Sequence, residues 1–131
     1  MRIYLDSSAL VKLVQREPGS DALRRYLRRH RADDRVTSAL ARVEVVRAVL
    51  AGGAAAIAQA RSHLARIQQI RLGTAALDSA ATLAPGDLRS VDAVHLASAL
   101  RVGAGLRAFV TYDNRMATAA TTIGLPVEAP A

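Results

Sequence analysis

Four acidic residues stand where the chain is otherwise most apolar. Asp6 follows Ile3 and Leu5, Glu44 lies inside V-E-V-V, Asp92 belongs to V-D-A-V-H-L-A-S-A-L, and Asp113 follows F-V-T-Y. The remaining acids (Glu17, Asp21, Asp33, Asp34, Asp78, Asp87 and Glu128) fall in segments that read as loops, the tail, or helix faces near arginines. Carboxylates gathered in a partly dry pocket repel one another and lose solvation, and a divalent cation relieves both penalties. Mg2+ and Mn2+ prefer oxygen ligands and retain water, so a few carboxylates suffice to hold either. Such an ion activates water, orients a phosphate and stabilises the departing oxygen, which is the chemistry of phosphodiester hydrolysis. Mutual repulsion in such a pocket predicts that, without metal, at least one of the four acids titrates above the ordinary carboxylate value of about 4.

Each acid also has a plain structural explanation. Asp6 can cap a helix beginning near Ser8, and Asp113-Asn114 can form a turn or a second cap. Asp92 lies two residues past Ser90, where a helix dipole favours an acid. Glu44 can pair with Arg42 or Arg47 on a helix surface. These explanations account for the acids one at a time, not for their recurrence where three segments turn most hydrophobic. Auxiliary candidates lie beside them. Ser8 and Thr111 carry hydroxyls near Asp6 and Asp113, and Asn114 and Arg115 follow Asp113, with Arg115 placed to meet a substrate phosphate. His95, three residues after Asp92, reads as a satisfied, partly buried histidine rather than a catalytic one. The basic run R-R-Y-L-R-R-H-R reads equally as a phosphate-facing helix or as a solvated one paired with Asp21, Asp33 and Asp34.

Alternating strands and helices must position these residues. Strands are expected at 2–6, 35–37, 69–72 and 107–112, with a weak one at 126–128. Helices are expected at 8–16, 20–31, 39–51, 54–68, 75–83, 90–102 and 114–122. Ser20, Ser38 and Ser90 are candidate N-caps, and Thr74 opens the fifth helix. Leu40, Val43, Val46 and Leu50 form one apolar face, which Glu44 borders. This pattern predicts an α/β domain spanning 1–131 with a mostly parallel sheet covered on both faces. Ligands bind beyond the carboxyl ends of such strands, where Asp6 and Asp113 both belong.

Composition sets the outer bounds. The 131 residues suit one domain with a real core, and 51% hydrophobic content excludes disorder. Cysteine is absent, which excludes disulfides and thiolate zinc sites. No run approaches the roughly 18 apolar residues of a membrane span, and Asp6 interrupts the one apolar segment that could begin a signal peptide, so a cytoplasmic protein is expected. The net charge of +7 favours a polyanionic partner, although 17 of the 18 basic side chains are arginine, as a GC-rich genome alone would produce. There is no phosphate-binding G-x-x-x-x-G-K-[ST] and no G-x-S-x-G elbow.

Four segments together resemble the PIN-domain ribonucleases, and more narrowly the VapC-like toxins of bacterial toxin-antitoxin pairs. They are I-Y-L-D-S-S-A-L-V-K-L, S-A-L-A-R-V-E-V-V-R-A-V, L-R-S-V-D-A-V-H-L-A-S-A-L and F-V-T-Y-D-N-R-M-A-T-A-A, in the family's order. The resemblance implies a three-layer α/β/α sandwich and RNA cleavage dependent on Mg2+ or Mn2+. It places Asp6, Glu44, Asp92 and Asp113 at the family's four acidic positions, with Asp6, Asp92 and Asp113 as metal ligands and Glu44 as holder of the attacking water. Ser8 matches a hydroxyl position near the metal. Some members carry a further acid just after the last aspartate, where this chain has Asn114, Arg115 and Met116. The resemblance also implies a homodimer and a cognate antitoxin, with the helical pair at 39–68 a natural surface for one of them. A non-catalytic PIN-like module that binds RNA or protein, and a structure-specific DNA nuclease, are the competing readings.

Overall fold

A computed structural model describes residues 1–131. The elements run β1 (Arg2–Leu5), α1 (Ser7–Val14), α2 (Ser20–Arg29), β2 (Asp34–Ser38), α3 (Ala41–Ala48), α4 (Gly53–Leu64), β3 (Gln68–Ile70), α5 (Thr74–Ala81), α6 (Ser90–Val102), β4 (Leu106–Val110), α7 (Asn114–Thr122) and β5 (Val127–Glu128). Short 3-10 turns at Leu50–Gly52 and Gly103–Gly105 link α3 to α4 and α6 to β4. Every expected element is present. α6 and α7 have the expected limits, while the others shift by a few residues, and the helix expected at 39–51 ends at Ala48.

All strands are parallel, in the order β3-β2-β1-β4-β5. The chain builds outward from β1 through β2 to β3, then returns to place β4 on the other side of β1. That reversal makes the carboxyl ends of β1 and β4 the switch point of the sheet, where the connecting segments diverge and leave a crevice. Leu5 is in register with Val110, so Asp6 and Thr111 leave neighbouring strands at the same level.

Alternation along β1 divides the core. Ile3 and Leu5 join Ala108, Val110 and the buried sides of α1, α2, α3 and α4 on one face. Tyr4 joins Val36, Phe109 and residues of α6 and α7 on the other. α5 lies outside α6, meeting it through Ala80, Ala93 and Ala97. The result is the expected three-layer α/β/α arrangement around a parallel sheet. Small side chains allow it, because alanines on α6 and α7 bring helix backbones close to the strands.

Local details correct three expectations. Ser20 does not cap α2: it is the first helical residue, its hydroxyl accepts from the Glu17 amide, and the N-cap is Gly19. Arg89, not Ser90, is the N-cap of α6, and Ser38 accepts from the Leu40 amide one turn ahead of α3. The buried face of the α3 segment is Ala41, Val45 and Val49, whereas Val43 and Leu50 are 57% and 48% exposed. β2 delivers α3 in an orientation that periodicity alone does not fix. At Gly19, φ is +93° and an added Cβ would stand 3.3 Å from the Tyr112 ring. Gly19→Ala should therefore lower stability by about 1–2 kcal/mol in urea unfolding.

Candidate active site

Strand ends and helix starts build the site. β1 stops at Leu5 and Asp6 caps α1, its Oδ1 accepting from the Ala9 amide at 3.0 Å and from the Ser8 hydroxyl at 2.7 Å. β4 stops at Val110 and Asp113 caps α7, its Oδ1 accepting from the Arg115 and Met116 amides. Capping and membership of an acidic site are thus compatible roles for the same carboxylates. Thr111 joins the two ends: its hydroxyl donates to Asp6 Oδ2 at 2.5 Å and accepts from the Asp113 amide at 3.1 Å. Ser8 completes this ring, accepting from the Tyr112 amide at 2.9 Å.

Asp6 is only 3% exposed. Burial pushes its carboxyl above the ordinary carboxylate range, against the opposing effect of hydrogen bonds from Ser8, Thr111 and the Ala9 amide. Desolvation, not the expected repulsion between carboxylates, is the leading cause of this upward shift.

α6 contributes Asp92 from its first turn, nearly buried. Arg89, on the preceding turn, donates from Nε to Asp92 Oδ2 at 3.0 Å and reaches Asp113 Oδ2 through Nη2 at 3.5 Å. One guanidinium thus bridges the carboxylates of α6 and α7. Arg89 was not among the candidates from sequence. Its one signal is the spacing of three residues to Asp92 at a helix start, which many solvated ion pairs share.

Glu44 enters from α3 on the far side of β1. Its Oε1 accepts from the Ser7 hydroxyl at 2.6 Å and lies 2.6 Å from His95 Nε2. Burial alone would raise its pKa, but the hydrogen bonds from His95 and Ser7 outweigh burial and hold the carboxyl below its ordinary range. Behind it, Tyr4 Oη is 2.7 Å from His95 Nδ1. Burial raises the Tyr4 pKa far above normal, so the phenol stays protonated. A Tyr4 hydroxyl donating to Nδ1 leaves the neutral imidazole proton on Nε2, directed at Glu44. His95 is fully satisfied, as expected, and is deeper than expected at 1% exposed. Tyr4 was likewise invisible as a site residue, because an inward Tyr in a strand has a commoner explanation.

Hydrogen bonds link the four acids to their neighbours in separate groups. Asp6 and Asp113 are joined through Thr111, Asp92 and Asp113 through Arg89, and Glu44 through Ser7 and His95. Asn114 is exposed and no hydrogen bond engages its side chain; only its carbonyl is used, by Thr118. Arg115 is exposed and its guanidinium forms no ion pair; it lines a cleft beside Arg89 and Asp92. No three acidic or histidine side chains lie close enough together to hold a metal ion as they stand.

Comparison with known proteins shows the family. The chain is 54% identical over 129 residues to ribonuclease VapC46 of Mycobacterium tuberculosis strain H37Rv, covering 98% of this chain and 97% of that one. It is 43% identical over 135 residues to ribonuclease VapC35 of the same species, covering 98% and 96%. The crystal structure of Mycobacterium tuberculosis VapC20, described as a toxin that cleaves the sarcin-ricin loop, superposes with a TM-score of 0.75 at 19% identity, over 98% of this chain and 99% of that one. The PIN domain model itself matches residues 3–121, a span that takes in all four acids. This chain belongs to the PIN-domain family, among its VapC ribonucleases.

Proposed function

We propose that this protein is a divalent-metal-dependent endoribonuclease that acts as the growth-inhibiting toxin of a toxin-antitoxin pair. The observation that carries the reading is that Asp6 and Asp113 stand at the ends of neighbouring strands at the switch point of a parallel sheet, with Asp92 linked to Asp113 through Arg89, in a chain 54% identical to a VapC ribonuclease.

The donor types of Asp6, Asp92 and Asp113, rather than their present spacing, suit Mg2+ or Mn2+. The donors are all hard oxygens, the preferred ligands of either ion. Asp6 Oδ2 accepts a single hydrogen bond and keeps a free lone pair. A cation already bridges Asp92 and Asp113, in the form of the Arg89 guanidinium. Asp6, Asp92 and Asp113 would hold the ion, which would supply positive charge to the scissile phosphate and its leaving oxygen. Glu44 does the proton work. Both of its hydrogen bonds fall on Oε1, so Oε2 is open to hold the attacking water and accept its proton. Arg89 competes with a cation for two of the carboxylates. Removing it as Arg89→Gln should therefore tighten Mn2+ binding a few-fold in RNA-free calorimetry, while slowing RNA cutting.

An RNA substrate and an antitoxin are the partners this reading requires, and a homodimer is the proposed state. The exposed Val43 and Leu50 on the α3–α4 arm support that arm as a partner surface. No single helix is long and apolar enough to cross a membrane, in keeping with action on RNA in the cytoplasm. Expression in bacteria of the wild type and Asp6→Asn, with RNA 5′ ends mapped across the transcriptome, tests the function. New ends at a few sites in the wild type alone are expected. Identical maps from two folded proteins would favour a non-catalytic binding module.

A further inference from the structure

Beside the acids lies a second concave feature that the chemistry above does not use. A cleft of about 280 Å³ runs between the turn preceding α6 and the outer face of α7, lined by Pro85, Arg89, Asp92, Arg115, Thr118 and Thr122. It shares Arg89 and Asp92 with the acidic groups, so it adjoins the proposed place of bond cleavage. Its volume falls near the lower end of the roughly 300–1,000 Å³ of small-ligand sites, enough for one nucleotide and too little for a paired helix.

Its chemistry suits the same ligand. Arg115 offers a guanidinium with no acidic partner. Arg89 offers a second, shared between Asp92 and Asp113. Thr118 and Thr122 stand four residues apart on α7, and each donates its hydroxyl proton to a carbonyl of its own helix, at 3.0 and 2.9 Å. Each oxygen therefore remains free as an acceptor, suited to a base amino group or a ribose hydroxyl. Asp87, exposed at the rim, is the one unpaired carboxylate opposing an anion there.

We propose that this cleft is a binding subsite for an unpaired nucleotide of the RNA chain adjacent to the cut bond, with Arg115 and Arg89 on its phosphate and Thr118 and Thr122 beside its base or sugar. The inference rests on the ribonuclease reading and adds where the strand lies. It also selects single-stranded RNA, because a base must leave its helix to enter so small a cleft.

Binding of a fluorescein-labelled single-stranded RNA of mixed sequence in EDTA, followed by anisotropy, tests it with the whole chain. Cutting of the same RNA is assayed in Mn2+. Arg115→Gln should weaken binding about tenfold and reduce the slope of log affinity on log salt by about 0.7, the loss of one phosphate contact on a single strand. Thr118→Leu combined with Thr122→Leu fills the cleft without altering charge, and should weaken binding comparably with the salt slope unchanged. All three positions are exposed, so neither variant disturbs the core. Arg101→Gln, exposed at the far end of α6, should stay within about twofold of wild type. If the wild type binds and cuts RNA but the cleft variants bind as it does, the subsite is overturned and the ribonuclease reading stands. Equal losses in Arg101→Gln and Arg115→Gln, with none in the leucine pair, would also overturn it, reducing binding to general charge attraction. A wild type that neither binds nor cuts RNA overturns both.

Discussion

Asp6→Asn should lower RNA cutting by about 10²–10³-fold, comparable to losing one group aimed at developing charge in other enzymes, while the protein remains folded. Asparagine is close to the shape of a protonated aspartate, and its carbonyl can still accept from the Ala9 amide and the Ser8 hydroxyl. It loses the negative charge that would draw a divalent ion. The same substitution should stabilise the protein at neutral pH. Burial raises the folded-state pKa of Asp6, so the folded protein favours the protonated form. For a raised carboxyl, stability falls as pH rises from the unfolded pKa of about 4 through the folded value, and the wild type carries that full penalty above it. Thermal unfolding should show Asp6→Asn melting above wild type at pH 7, with the gap closing towards pH 4. A variant that melts lower at pH 7 would mean that the ionised carboxylate is a net stabiliser. Higher stability with lost activity is the pattern expected where a buried charge is kept for chemistry.

His95→Leu should damage both stability and turnover. The imidazole joins the Tyr4 hydroxyl, in the core, to Glu44, at the crevice. Leucine leaves the tyrosine hydroxyl without this acceptor and Glu44 without one of its two donors. The expected loss is about 1–3 kcal/mol in urea unfolding, the range for a buried polar group deprived of its partner. Adding Tyr4→Phe should recover part of it, because the double variant removes the stranded hydroxyl as well. RNA cutting should fall about 10- to 100-fold through kcat, with KM little changed, since His95 acts by positioning Glu44. His95→Gln, whose amide can still donate to Glu44, should recover part of the rate. If His95→Leu retained full kcat, Glu44 would need no such support.

The sheet, its parallel sense and the edge where function resides were legible because each strand is short, apolar and followed by a helix signal. That logic put Asp6 and Asp113 at the same edge of the sheet but not on adjacent strands; the structure supplies that step, because β1 and β4 are neighbours. The orientation of α3 was not legible. V-E-V-V offers apolar residues all round, and only packing against the sheet selects Val45 over Val43 for burial. Arg89 escaped notice for a related reason. An arginine at a helix start is ordinary until the fold brings Asp113, 24 residues away, within its reach. The Tyr4–His95–Glu44 connection links three elements distant in sequence, and side-chain periodicity carries no record of such pairings.

The most direct test of the metal-dependent site is cleavage of total cellular RNA by the purified protein, with Mn2+ or with EDTA, read by mapping 5′ ends. The account predicts new ends at a small number of sites with the ion, none in EDTA, and their return when excess Mn2+ is restored. The same ends appearing in EDTA, or no new ends under any condition, would contradict it.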